Sequence, residues 1–173
     1  MFEKDFTYFG EHAEMTNDLL FENGGTDGIF STAYDVFFTA AIVGFLARES
    51  SREKGDRDFN KTIASNKLIH EGQKTAIIER TLILADEVLD VEGENVRINR
   101  ALKNFEDEQI KKINRDYIVG YALKGIEILH ERLEQSKRDS KDVVFLVNEL
   151  IEEFMINGDE SEELHDFILQ LSK

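Results

Sequence analysis

Not one proline occurs in 173 residues, and no other feature limits the fold so strongly. A chain of this length with average usage carries roughly eight or nine. Proline breaks helix interiors and favours extended turns, so its absence removes the commonest interruption to helices. Apolar residues make up 41% of the chain, and phenylalanine supplies 13 of the aromatics against 4 tyrosines and no tryptophan. Phenylalanine has no polar group to satisfy, which suits a dry core between helices. The sequence therefore predicts an all-α fold: one compact domain over residues 1–173, a bundle of six to eight helices around a central apolar helix.

That central helix is predicted from Ser31 or Thr32, either of which can cap it, to Glu49. Val36 to Ala47 is nearly all apolar, but at about twelve residues it is too short to span a bilayer. Ala33, Ala40, Gly44 and Ala47 line a ridge of small residues along it. Other helices are expected at Thr7–Phe21, from Asn60 or Thr62 to His70, and at Gln73–Val88, Asn95–Asn104, Asp107–Gln135, Lys141–Ile156 and 159–171. Asn23-Gly24-Gly25 and Asn157-Gly158 read as helix stops. In the longest helix Ile110, Ile113, Tyr117, Tyr121 and Ile128 form one stripe. Ile118, Ala122, Ile126, Leu129 and Leu133 form the next. Gly120 and Gly125 each cost that helix about 1 kcal/mol relative to alanine, which points to close packing, with the central helix as the expected neighbour. Ser50 to Phe59 is the longest stretch without periodicity and the expected mobile loop. No alternating hairpin pattern appears.

The absence of cysteine excludes disulfides, thiolate zinc sites and a thiol nucleophile, and is compatible with a reducing cytoplasm, the expected location. Met1 to Asp5 lacks the basic-then-apolar order of a secretory leader. Net charge is −15. Residues 1–35 and 143–173 each carry about −7, flanking mildly basic stretches at 50–81 and 110–142. Such a field opposes nonspecific nucleic-acid binding and adsorption to anionic membranes.

Catalytic constellations are sparse. Two Glu-x-x-His pairs, Glu127/His130 and Glu162/His165, have the spacing used by helical di-iron carboxylate proteins. Glu127, however, falls on the predicted polar side with Asp116, Gly120, Lys124 and Glu131. Glu162 sits where an acidic residue favours a helix N-terminus. Gly24-Gly25-Thr26-Asp27-Gly28 precedes a helix but lacks the Gly-Lys-Ser/Thr ending of a phosphate loop. No Gly-x-Ser-x-Gly elbow exists, and His12 and His70 are expected at the surface or its boundary. No catalytic residue, metal site or cofactor is therefore assigned. Local basic groups remain at Arg48, Arg52, Lys54 and Arg57, and at Lys111, Lys112 and Arg115.

One run carries a family-like pattern. Phe30, Thr32, Asp35 and Phe37, then Ala40-Ala41, then Gly44-Phe45 follow the order Phe-x-Thr-x-x-Asp-x-Phe, Ala-Ala, Gly-Phe. This resembles the signature stretch of small helical accessory proteins encoded beside bacterial DNA-phosphorothioation genes and related anti-phage clusters. The match covers about 20 residues, and beyond it the chain reads Ala47-Arg48-Glu49-Ser50 instead of a basic run. The resemblance implies a non-catalytic accessory subunit of a multiprotein antiviral defence system. Its expected partner is a protein, such as a DNA-processing ATPase or nuclease encoded nearby, or a second copy of the chain. Asp27, Thr32, Asp35, Arg48, Arg52, Lys54 and Arg57 are the candidate partner contacts. Two alternatives stand beside this reading. One is an acidic regulatory or DNA-mimicking inhibitor, from the net charge. The other is a carboxylate-bridged metalloenzyme, from the Glu-x-x-His pairs. Packing also accounts for the signature itself: Phe30 staples the helix start, Thr32 caps it and Asp35 favours its dipole.

Overall fold

A computed structural model describes residues 2, 4–21, 28–93, 95–138 and 152. The chain separates into two units, residues 1–131 and 132–173. The described part of the first is mostly helical, with α1 (Glu11–Leu19), α2 (Ala33–Leu46), α3 (Ser65–His70), α4 (Gly72–Ala85) and the single turn α5 (Val96–Ile98). A 3-10 helix, Glu87–Glu92, precedes α5, and a π-helical turn, Asn99–Lys103, follows it. The long helix α6 (Glu108–Arg138) belongs to the first unit as far as residue 131. The expected helices at 141–156 and 159–171 lie outside the described residues.

The all-α expectation needs one correction. Strand β1 (Phe6–Phe9) pairs antiparallel with β2 (Asn60–Ile63), in the register Phe6↔Ile63 to Phe9↔Asn60. Aromatic and β-branched residues favour a pleated, half-buried surface, and Phe-Thr-Tyr-Phe supplies four in a row. Thr7 and Thr62 hydroxyls bond across the pair at 2.8 Å, while Tyr8 and Ile63 turn into the core. The partners are more than fifty residues apart in sequence, so no local hairpin signal exists. Both strands occupy stretches expected to be helical or to open a helix.

Gly10 ends β1 and starts α1 with φ +70°, and a Cβ there would stand 1.9 Å from the Lys54 carbonyl oxygen. Only glycine meets both conditions at no cost. The inward face of α1 is then His12, Ala13, Thr16 and Leu19, half of it polar. The hydroxyl of Tyr8 donates to Thr16 (3.0 Å), and Thr16 donates to the His12 carbonyl (2.7 Å). Burial thus leaves each hydroxyl paired.

Helix α2 is the buried centre of this unit. Val36, Phe37, Ala40 and Ala41 are fully enclosed. Phe37 lies among the rings of Phe2, Phe6, Tyr8 and Phe38, with centroids 5.1–5.9 Å away. Thr32 caps the helix by accepting from the Asp35 amide (3.2 Å), and its hydroxyl donates to the Asp35 carboxylate (2.6 Å). The cap at Thr32 is thus as expected.

Helix α6 crosses α2 at two glycines. A Cβ on Gly125 would lie 1.8 Å from the Ala40 carbonyl oxygen, and one on Gly44 would lie 2.1 Å from the Tyr121 carbonyl oxygen. The two backbones touch, as the small-residue ridge anticipated. Of the two α6 stripes, Ile118, Ala122, Ile126 and Leu129 is the buried one, whereas Ile113 is exposed.

The segment after α4 packs back on the end of that helix in a smaller cluster of Ile83, Leu89 and Ala101, with Leu84, Val96 and Tyr117 against it. Arg100 Nε donates to Asn114 Oδ1 (2.9 Å), and Asn114 Nδ2 donates to the Arg100 carbonyl (3.1 Å). That exchange ties the π-helical turn to α6.

Glu79 on α4 is 1% exposed, and its Oε1 has no hydrogen-bond partner. Burial pushes its carboxyl up to about 7, with Arg80 opposing the shift. The folded state therefore keeps a proton that the unfolded chain releases, so stability falls as pH rises from the ordinary glutamate range through about 7. Glu79→Gln should stabilise the protein by about 3 kcal/mol at pH ~8 and by much less at pH ~5. Urea midpoints at the two pH values test this, and equal shifts at both would contradict it.

Candidate functional site

The most connected polar group lies where the sequence indicated solvent. Glu127 Oε1 accepts from His12 Nε2 (3.1 Å), Ser51 Oγ (2.7 Å) and Lys54 Nζ (2.6 Å). Its Oε2 faces Lys124 Nζ at 3.4 Å, and Lys124 also reaches Glu49 at 3.0 Å. The Glu127 side chain is 16% exposed and that of His12 is fully buried. Both expectations therefore require correction: His12 is not at the surface, and Glu127 is not on a solvated face. Helical periodicity along α6 does place Glu127 beside Lys124. What it omits is that the 47–59 segment folds over that face.

A carboxylate can only accept, so the His12 proton facing Glu127 resides on Nε2. His12 Nδ1 is buried and has no partner. Burial alone would raise the Glu127 carboxyl, but the donors Lys54, Ser51 and His12 outweigh it and hold it down at about 2. A carboxylate that acidic and so fully bonded is a weak general base at neutral pH. Ser51 donates to the carboxylate instead of to an imidazole, so these residues do not form a Ser–His nucleophilic pair. Their geometry is that of an anchor.

What they anchor is the stretch from Ala47 to Phe59. Arg48 adopts φ 55° just after α2. The Ser51 amide donates to the Gly120 carbonyl (2.9 Å), the Glu11 amide to the Lys54 carbonyl (2.9 Å) and the Gly10 amide to the Phe59 carbonyl (3.0 Å). The expected mobile loop is thus fastened to α1 and α6 along its length. Arg57 pairs with Glu53 (3.3 Å) and lies 4.7 Å from the Phe9 ring centroid. Arg48 and Arg52 are exposed, and their guanidinium groups have no hydrogen-bond or ion-pair partner among the described residues.

The seven candidate contacts consequently divide. Arg48, Arg52, Lys54 and Arg57 share this loop, although Lys54 and Arg57 are already paired. Thr32 and Asp35 bond to each other at the start of α2. Asp27 lies outside the described residues. Of the signature positions, Phe37, Ala40, Ala41 and Gly44 are buried.

Beside the loop lies an open cleft of about 560 Å³, bounded by Ser50, Ser51, Arg52 and Lys54 on one side and by Asp116, Tyr117, Gly120 and Tyr121 of α6 on the other. Tyr117 donates to Asp86 Oδ2 (2.7 Å), and Tyr121 reaches the same oxygen at 3.5 Å. Burial, followed by the bond to Asp86, raises the Tyr117 hydroxyl far above its ordinary value. It therefore stays protonated and does not serve as a base.

Of the Glu-x-x-His pairs, Glu127 is committed as described, and His130 Nε2 lies 3.0 Å from Asp18 Oδ2. Glu162 and His165 lie outside the described residues. Among the described residues, no group of three or more His, Asp or Glu side chains is arranged to hold a metal ion. No helix there is long and apolar enough to cross a membrane. Comparison with protein-family models, curated proteins and solved structures returned no match.

Proposed function

We propose that the chain is a non-catalytic interaction subunit of a bacterial multiprotein DNA-defence system. In this reading it is a single helical bundle of six to eight helices around α2, acting in the cytoplasm. Its contact face is the loop at 48–57, and its partner is a protein such as a DNA-processing ATPase or nuclease encoded nearby. One observation carries the proposal: a long irregular loop is fastened at several points yet leaves the Arg48 and Arg52 side chains exposed and unpaired among the described residues. Loops positioned by a rigid scaffold are where proteins concentrate binding groups. Ile69, Ile77, Val88 and Val91, 64–87% exposed, supply further apolar surface of the kind that partners cover. The link to defence rests on the resemblance of the Phe30–Phe45 run.

Co-expression with the products of adjacent genes tests it. A stable complex is expected, and the double substitution Arg48→Glu, Arg52→Glu should weaken it about tenfold or more, since reversing rim charges turns attraction into repulsion. The absence of any complex, or a complex indifferent to both reversals, would overturn the proposal.

A further inference from the structure

Gly120 poses a question that packing does not answer. Gly44 and Gly125 are required by backbone contact, but a Cβ on Gly120 would meet only Ser50 Cβ at 3.4 Å and the Ser51 carbonyl oxygen at 3.7 Å, ordinary contacts. Glycine inside a helix nevertheless costs about 1 kcal/mol relative to alanine. Gly120 lines the cleft between the loop and α6, and a large side chain there would narrow it between α6 and Ser50–Ser51.

The cleft has two unlike sides. On the loop side Arg52 has no counter-ion among the described residues, and the charge of Arg48 reaches the Tyr121 hydroxyl. On the α6 side stand the rings of Tyr117 and Tyr121, 4.9 Å apart edge to face. Their hydroxyl protons are directed at Asp86, so they meet a ligand as ring surface and not as donors. Asp116 completes this side and is held only loosely, 4.0 Å from Arg115. The volume of about 560 Å³ lies within the usual range for small-molecule sites.

We propose that this cleft binds a nucleoside monophosphate whose base carries an exocyclic amine. The phosphate pairs with the Arg52 guanidinium, whose fork matches phosphate oxygens. The base lies against the Tyr117 and Tyr121 rings, and its amine donates to Asp116. Arg52 thus meets the phosphate with no competing counter-ion among the described residues, Asp116 is held by Arg115 only at 4.0 Å, and the base takes the ring surface that Phe45 and Arg100 leave uncovered on Tyr121 and Tyr117. The site borders the proposed contact loop but does not require that reading: ligand binding is measured on the isolated chain, so the two fail separately.

Calorimetric titration of AMP, adenosine and inorganic phosphate into the full chain tests it. AMP should saturate at or below millimolar concentration, with adenosine and phosphate each bound about tenfold more weakly or worse. Arg52→Ala, an exposed position, should weaken AMP about tenfold, and Gly120→Leu should abolish binding while far-UV circular dichroism reports an intact fold. Gly120→Ala serves as the second, milder block should leucine disturb the helix. No saturation by AMP, or saturation that survives both Arg52→Ala and the folded Gly120 variant, overturns the proposal. Phosphate binding as tightly as AMP overturns it as well, because a bare anion site needs neither the rings nor Asp116.

Discussion

Gly125→Ala should cost the protein about 3 kcal/mol or more, a large share of the ~5–15 kcal/mol by which domains are stable. The added methyl would occupy space 1.8 Å from the Ala40 carbonyl oxygen, which is backbone and has no rotamer to yield. α2 and α6 must separate where the Ala40 backbone meets Gly125, and the close approach at Gly44 and Tyr121 is opened with it. Better helix propensity returns only about 1 kcal/mol. Gly44→Ala should behave alike, because its Cβ would meet the Tyr121 carbonyl oxygen at 2.1 Å. Gly120→Ala is the internal comparison: with contacts no closer than 3.4 Å it should be neutral or stabilising by up to about 1 kcal/mol. Guanidinium unfolding of the three variants makes the test. Equal midpoints for Gly120→Ala and Gly125→Ala would show that the helices do not meet backbone to backbone.

Glu127→Ala is the second large effect, about 3 kcal/mol at neutral pH. It removes the acceptor for Ser51, Lys54 and the buried His12, and so takes away the side-chain tie between loop and α6, leaving the Ser51 amide bond to the Gly120 carbonyl. The loss should have a local signature: trypsin should cut after Arg52, Lys54 and Arg57 faster than in the wild-type chain. The pH dependence follows from the carboxyl being held down at about 2. A depressed acid contributes stability above its unfolded value, near 4.5, and loses it as pH falls through its folded value. The gap between wild type and Glu127→Ala should therefore be full at pH ~6 and narrow steadily toward pH ~2. A gap that stays constant over that range would mean that Glu127 acts only by volume.

The contrast between Gly125 and Glu127 shows what the sequence discloses and what it does not. Helix α2, its Thr32 cap and its close approach to α6 follow from local pattern: a run of apolar and small residues, a hydroxyl at the right offset and glycines in a helix. The β1–β2 pair and the Glu127 cluster join residues far apart in the chain, and periodicity is blind to such partners. His12 and Thr16 mislead for a related reason. Polar residues normally mark the solvent face of a helix, but here Glu127 accepts the His12 Nε2 bond and the Tyr8 hydroxyl donates to Thr16 inside. The π-helical turn at Asn99–Lys103 was legible only as helix, because its hydrogen-bond offset leaves no mark in composition. At the candidate contact face, the basic residues cluster in sequence, but the predicted helix to Glu49 contains Arg48, whereas α2 ends at Leu46 and leaves Arg48 in the loop. The separation of paired Lys54 and Arg57 from Arg48 and Arg52, unpaired among the described residues, depends on Glu127 and Glu53, whose placement only the fold supplies.

Backbone hydrogen exchange, compared between the free chain and its complex with a protein encoded by a neighbouring gene, bears most directly on the role of this molecule. The expected result is new protection concentrated in residues 48–57, lost in the Arg48→Glu, Arg52→Glu variant although that variant remains folded. A stable complex whose protection leaves 48–57 unchanged would contradict the assignment of this loop as the contact face.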